Sequence, residues 1–309
     1  MIEIINLTKK IGQNKILDNI SLTINKGEVL GFLGPNGAGK TTTMKIITSF
    51  WKPTSGQVKV DGLDVSENSL ETRSKIGYLP ETVPLYDDMR VLEYLRFVAE
   101  IRGLEKNEIK VRIKEVVKTC GLREVIRRPI EELSKGYRQR VGLAQAIIHQ
   151  PEVLILDEPT TGLDPNQIIE IRELIKKIGK EKTVIFSTHI LSEVSATCDR
   201  VVIINNGKIV KIGTPTELLS VSNAQNVIYV KIKGDKDRVL DKLKNFEKIS
   251  KVDIKNKEAE NIYGYEIKPI KNIDIREDVS IFVTSIGCTI LELYKEKINL
   301  EDVFRTLTE

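Results

Sequence analysis

The chain has 309 residues, 40% of them hydrophobic and 30% charged, with a net charge of +4. Length sets a prior of about two globular domains, and the apolar fraction suffices for one large core and one small one. The lysines are spread rather than clustered, which argues against the basic stripe of a nucleic-acid binder, so no nucleic acid is expected as a partner. No run approaches the ~18 consecutive apolar residues of a membrane span. The opening residues Met1–Lys10 lack an apolar segment after a basic one, so no signal peptide is expected. Cys120, Cys198 and Cys288 lie far apart without a CxxC pair, as buried thiols in a reducing, cytoplasmic compartment would.

In chain order, β-rich stretches predict strands at Glu3–Leu7, Leu22–Ile24 and Val29–Leu33. The third runs into Gly34-Pro35-Asn36-Gly37-Ala38-Gly39-Lys40-Thr41-Thr42 and a helix from Lys40 onward. This fits G-x-x-x-x-G-K-[ST] in the strand–loop–helix context the pattern requires. Glycines let the backbone curl so that successive N–H groups face phosphate oxygens, and the helix aims its positive end at the same anion. Lys40 would neutralise the β- and γ-phosphates of a nucleotide, and the Thr41 hydroxyl would ligate Mg²⁺. Alone, the loop says only that a nucleotide binds.

Apolar residues at Val91, Leu92, Leu95, Val98 and Ile101, then Val111, Ile113, Val116 and Val117, carry helical spacing over 91–119. Ser134 suits a helix N-cap before a helix from about Tyr137 to His149. Val153–Asp157 is almost wholly apolar, as a strand covered on both faces of a parallel sheet would be, and it ends in Asp157 and Glu158. Asp157 would be held rigidly near the Mg²⁺, while Glu158 would polarise a water toward the γ-phosphate. Val184–Ser187 and Val201–Ile204 read as further core strands. Strands alternating with helices predict an α/β core, with a helix-rich block at about 86–150 inserted in it. Thr214-Pro215-Thr216-Glu217 reads as a capping box with proline at the first helical position.

The polar stretch Ser220–Asn226 marks a boundary. Beyond it the chain reads strand (Val227–Lys233), helix (Lys236–Phe246), strand (Ile249–Ile254), strand (Tyr263–Lys268), helix (273–286) and strand (Thr289–Tyr294). That order is the βαββαβ of a ferredoxin-like module, and a last helix is expected at about Leu300–Leu307. Residues 1–220 are thus expected to form the nucleotide-binding domain and 221–309 an accessory α+β domain.

Leu133-Ser134-Lys135-Gly136-Tyr137-Arg138-Gln139-Arg140, about twenty residues before the acidic strand, resembles the LSGGQ signature of ABC ATPases. On this motif, with the phosphate loop and Asp157-Glu158, residues 1–220 resemble that family. The resemblance implies a P-loop NTPase fold with a helical subdomain, ATP hydrolysis, and a head-to-tail pair in which Ser134 and Gly136 of one subunit bind the γ-phosphate held by the other. It further implies that Gly162-Leu163-Asp164 is the D-loop, with Asp164 meeting the partner subunit, and that His189, after Ser187-Thr188, is the switch histidine at the γ-phosphate. His149, at a helix end, is expected to be structural. The family's role implies a separate transmembrane permease as partner, with this subunit peripheral on the inner face of the membrane.

Four positions depart from the family pattern. Ile11 stands where an aromatic would stack on adenine, and Glu81, after Gly77-Tyr78-Leu79-Pro80, replaces the Q-loop glutamine that helps ligate Mg²⁺. Lys135 and Tyr137 replace Gly and Gln in the signature, while Gly136 remains. Glu81 with the run ETVPLYDD that it opens, and the ending Ile298–Phe304, resemble ATPases of ABC-2-type exporters, and the run from Leu133 to Gln167 is similar to gliding-motility-associated members. Val83, Leu85 and Tyr86 are candidate contacts for the membrane partner. The rival reading, a soluble ABC ATPase acting on ribosomes or DNA, would want two joined ATPase units, an inserted coiled coil or zinc ligands, and none is found. Glu158 opposes a second rival, a non-hydrolysing nucleotide sensor.

Overall fold

A computed structural model describes residues 1–221, 227–270 and 273–295. They fall into two compact units, Met1–Leu218 and the residues from Leu219 onward. The expected helix at Leu300–Leu307, the Ile298–Phe304 segment and most of the boundary stretch before Asn226 lie outside the described residues.

The first unit begins with a hairpin of β1 (Ile2–Ile11) and β2 (Asn14–Ile24), both longer than the sequence predicted. Ile2, Ile4 and Leu7 on β1 and Leu17, Ile20, Leu22 and Ile24 on β2 are buried, giving each strand one covered face. β3 (Val29–Leu33) leads to α1 (Lys40–Ile47), and β4 (Ser55–Val60) with the short β5 (Leu63–Asp64) completes an antiparallel sheet in the order β2-β1-β4-β5. After α2 (Ser69–Ser74) and β6 (Ile76–Leu79) comes the helical block: α3 (Val91–Ile101), α4 (Lys106–Thr119), a short 3-10 turn and α5 (Lys135–Ile147). Then follow β7 (Val153–Asp157), α6 (Pro165–Gly179), β8 (Thr183–Thr188), α7 (Leu191–Thr197), β9 (Arg200–Asn205), β10 (Lys208–Gly213) and α8 (Pro215–Val221).

The predicted helical spacing over 91–119 breaks within its own span. Gly103 takes a left-handed φ of +77° after α3, a helix-ending conformation that glycine adopts without steric cost. Ile101, the last residue of α3, is 66% exposed, and the phase resets after Gly103, so Val111 is 56% exposed. Ile109, Ile113 and Val116 form the buried stripe of α4 instead. α5 also starts two residues earlier than predicted, at Lys135. The capping box at α8 forms as predicted, with Thr214 N–H donating to Glu217 Oε2 at 2.8 Å and Glu217 N–H to Thr214 Oγ1 at 3.1 Å.

The central sheet runs β10-β9-β3-β8-β7-β6, with only β10 antiparallel to its neighbour. Every residue of β3, β7 and β8 is buried, and each such aliphatic side chain contributes roughly 1.5–3 kcal/mol by leaving water. Because β3, β8, β7 and β6 are parallel neighbours, their carboxyl ends lie side by side. The register pairs Leu33 with Thr188, Asp157 with Ser187 and Leu79 with Leu156. Ligand sites of open α/β sheets form at this edge, and it carries the phosphate loop, His189, Asp157-Glu158 and Glu81.

The second unit comprises β11 (Ile228–Lys233), α9 (Lys236–Lys244), β12 (Ile249–Ala259), β13 (Ile262–Pro269), α10 (Arg276–Ser285) and β14 (Thr289–Lys295). Its antiparallel sheet runs β12-β13-β11-β14, with the two outer connections made through helices. Ile228, Val230 and Ile232 of β11 pack with Val239, Leu243, Val279 and Val283 of the two helices in one core.

Candidate functional site

The loop from Gly34 to Gly39 leaves β3 and curls before α1. Two glycines there cannot be replaced cheaply: a Cβ at Gly34 would stand 2.4 Å from the Ile204 carbonyl oxygen, and Gly39 takes φ +110°. Lys40 is 5% exposed and folds back over its own loop. Its Nζ donates to the Gly34 carbonyl at 2.7 Å and the Pro35 carbonyl at 3.3 Å.

Thr41 Oγ1 donates to Asp157 Oδ1 at 3.0 Å, and Ser187 Oγ donates to the same oxygen at 2.6 Å. Ser187 Oγ in turn accepts from the Glu158 N–H at 2.9 Å. Ser187 therefore locks the two neighbouring acids to β8, a role that single-strand reading does not reveal. The β7–β8 register that sets Asp157 opposite Ser187 is the signal that exposes it.

Glu158 has φ +48°, a left-handed conformation that costs a non-glycine residue about 1–3 kcal/mol. That turn of the backbone separates the two acids. Asp157 stays with the Thr41 and Ser187 hydroxyls, while the Glu158 carboxylate lies between Lys40 and His189. Glu158 Oε1 meets Lys40 Nζ at 3.1 Å as an ion pair, both side chains being under a tenth exposed. That oxygen has no partner with hydrogen-bond geometry. Glu158 Oε2 lies 2.9 Å from His189 Nδ1 and accepts from Thr161 Oγ1 at 3.4 Å. The structure thus gathers Lys40, Thr41, Asp157, Glu158 and His189 into one network.

The other expected residues stand outside this network. Glu81 is exposed beyond β6, and among the described residues no side-chain hydrogen bond or ion pair to it is seen. Burial first, then the charges of Asp157 and Glu81, push the Tyr78 phenol up. Ser134 caps α5, accepting from the Tyr137 N–H at 3.4 Å. Asp164 caps α6, accepting from the Gln167 N–H at 2.9 Å, a local task beside the one its resemblance implies. A Cβ on Gly136 would lie 2.7 Å from Gln167 Cδ, the end of a flexible side chain that would have to move aside. Ile11 ends β1, 48% exposed. His149 follows α5 and places Nε2 3.2 Å from the Ile76 carbonyl oxygen. Burial first, then Arg102, pushes its pKa down to about 4. Val83 and Leu85 are partly buried against the core, whereas Tyr86 is 51% exposed.

Residues 17–161 match the family model described as ABC transporter. The chain is 41% identical to the ABC transporter ATP-binding protein NatA of Bacillus subtilis, over 70% of this chain and 89% of that protein. The chain belongs to the ATP-binding subunits of ABC transporters. Along its full length it is 32% identical to the linearmycin resistance ATP-binding protein LnrL of Bacillus subtilis, covering 98% of that protein. Among solved structures it is similar to the dimeric post-hydrolysis state of the ATP-binding cassette MJ0796 bound to ADP and Pi. The TM-score is 0.63 at 28% identity, over 69% of this chain and 98% of that one. The subunit is therefore an ATPase with a P-loop NTPase fold. Among the described residues no helix is long and apolar enough to cross a membrane.

Proposed function

We propose that this ATPase works as a head-to-tail pair that closes on two ATP molecules and thereby drives a separate transmembrane permease, in the direction of export. The observation that carries the hydrolytic part is the meeting of Lys40, Glu158 and His189 at the sheet's carboxyl edge. Lys40 and the N–H groups of the loop from Asn36 to Thr42, shaped by Gly34 and Pro35, would bind the phosphates. Glu158, buried and oriented by His189 Nδ1, would take the position of the base that polarises the attacking water, and His189 would contact the γ-phosphate. A buried carboxylate beside a lysine and a histidine can act so without large reorganisation.

Thr41 and Asp157 offer a hydroxyl and a carboxylate oxygen 3.0 Å apart, a donor set that suits Mg²⁺ when phosphates and waters complete the shell. No group of three acidic, histidine or cysteine side chains that could hold a metal exists among the described residues, so phosphate oxygens would have to supply the rest. Bound there, the cation would neutralise charge on the β- and γ-phosphates. Glu81 could join from beyond β6 when the loop moves inward, linking the site to the partner.

The pairing rests on the signature turn. Among the described residues no hydrogen bond or ion pair joins Ser134–Tyr137 to the network around Lys40, so the turn is available to an ATP on a second copy, where Asp164 would also meet the partner. The dimeric form of the similar cassette MJ0796 supports this arrangement. Dimer closure would bias the permease between its two states, and Tyr86 is the exposed candidate contact. The export direction draws support from LnrL, a resistance protein matched over the whole chain. The second unit is assigned to contact or regulation, and the subunit would sit at the inner face of the cell membrane only through its permease. Membranes prepared from cells expressing the tagged chain with and without its permease test this: retention and ATP-stimulated cargo efflux should both require the permease. Retention without a permease, or efflux indifferent to Lys40→Ala, would contradict it.

A further inference from the structure

α7 is a seven-residue helix following His189, and its buried face carries a carboxylate. Glu193 is 1% exposed, a rare environment for an unpaired acid. Its Oε2 accepts from Thr188 Oγ1 at 2.7 Å, and Thr188 Oγ1 itself accepts from the Ile190 N–H at 2.9 Å. A hydroxyl has one proton to give and lone pairs to receive with, so these two bonds use Thr188 as a relay. Ile190 is the N-cap of α7 and Glu193 its third residue. In an ordinary capping box the third-position carboxylate would bond the N-cap N–H directly. Here the Thr188 hydroxyl stands between them. The end of β8 and the start of α7 are thereby clipped together on either side of His189, whose own side chain is free to reach Glu158. Thr188 is also tied to the phosphate loop, its carbonyl accepting from the Gly34 N–H at 3.4 Å.

The second carboxylate oxygen, Oε1, has no hydrogen-bond partner. A buried acid left half-satisfied is destabilising, and a leucine would fill the same space without that penalty. We propose that Glu193 is a positioning residue for hydrolysis: through the Thr188 hydroxyl it holds the His189 turn so that Nδ1 meets Glu158 Oε2. This rests on the reading that His189 acts in hydrolysis. A misplacement of this kind lowers turnover more than binding, because Lys40 and the phosphate loop remain where they are.

The test is steady-state ATP hydrolysis by the full chain carrying His189→Ala, Glu193→Ala, Glu193→Gln or Thr188→Val, and by the His189→Ala/Glu193→Ala double variant. Glu193→Ala should lower kcat roughly 10–100-fold, the scale of small displacements in a site, with KM for ATP moving less than about 3-fold. Glu193→Gln should return kcat to within about 3-fold of the parent, since its amide oxygen still accepts from Thr188. Thr188→Val, which removes the relay but leaves α7 intact, should reproduce the loss if Glu193→Ala fails to fold. The double variant should be no slower than His189→Ala alone, because a residue that acts only through another has nothing left to position. Additive losses in the double variant, or no rescue by glutamine, would overturn the proposal while leaving His189 functional. A wild-type rate in His189→Ala would overturn both readings together.

Discussion

Glu158→Gln separates chemistry from binding. The substitution keeps the side chain's volume and one acceptor oxygen while removing its charge. The carboxylate it replaces is 3.1 Å from Lys40 Nζ and 2.9 Å from His189 Nδ1. Loss of a positioned base slows hydrolysis by about 10²–10⁴-fold, equivalent to roughly 3–5 kcal/mol on the barrier. The effect on the fold should be smaller. Stranding one member of a buried pair costs about 3–5 kcal/mol, but Lys40 keeps the Gly34 and Pro35 carbonyls at 2.7 and 3.3 Å, and the glutamine oxygen can still face it. ATP affinity should hold or rise, since a negative charge beside the γ-phosphate has gone. Phosphate release by purified protein, read beside binding of a fluorescent ATP analogue, measures both quantities. An unchanged hydrolysis rate would remove the role from Glu158. Equal loss of binding and hydrolysis would show that the residue serves the loop's shape.

Three further outcomes follow from single positions. Ile11→Tyr should bind ATP more tightly and discriminate better against GTP, since a stacked ring adds ~0.5–1.5 kcal/mol beyond burial; competitive binding of the two nucleotides checks this, and a strong ATP preference in the parent would count against it. A chain ending at Ser220 should remain folded by circular dichroism and still bind ATP, because the network around Lys40 lies within Met1–Leu218; a folded but non-binding product would contradict the assignment of the second unit. His149 should make the fold acid-sensitive. Its pKa falls from 6.5 to about 4 in the folded chain, chiefly by burial, so between these values the unfolded chain binds a proton that the folded one refuses. Stability should therefore be intact above about pH 6.5, decline as pH falls toward 4, and level off below, by at most about 3 kcal/mol. Urea titrations across that range should show a flatter dependence in His149→Gln.

Several parts of this architecture were legible because they are written locally. The strand Val153–Asp157 coincides with its apolar run, since burial on both faces leaves no polar residue in it before the terminal Asp157. The phosphate loop announces itself because its glycines answer backbone demands within eight residues. The helical stripe failed where a local rule was carried past its range, and Gly103 reset the phase that Val111 had been assigned. Ser187 and Glu193 were missed for a different reason. Their partners, Asp157 and Thr188, are meaningful only after the parallel sheet has set β7 against β8 and folded α7 beneath it. The Lys40–Glu158 pair likewise joins the start of α1 to the turn after β7, and sequence could name each member without showing that they touch. Asp164 and Gly136 show the converse, with an intramolecular cap and a tight approach to Gln167 standing beside the roles their motifs imply.

Complementation between two inactive variants tests the head-to-tail pair most directly. Lys40→Ala removes the phosphate-loop half of a site, and Ser134→Arg blocks the signature half. Each protein alone should hydrolyse almost no ATP. In a mixed pair, Lys40 of one copy faces Ser134 of the other at one intact site, so an equimolar mixture should recover up to roughly a quarter of the parental rate, as expected when half the pairs are mixed and each has one good site of two. A mixture as inactive as its components, or a Ser134→Arg protein with the parental rate, would contradict an ATPase that completes its site with a second copy.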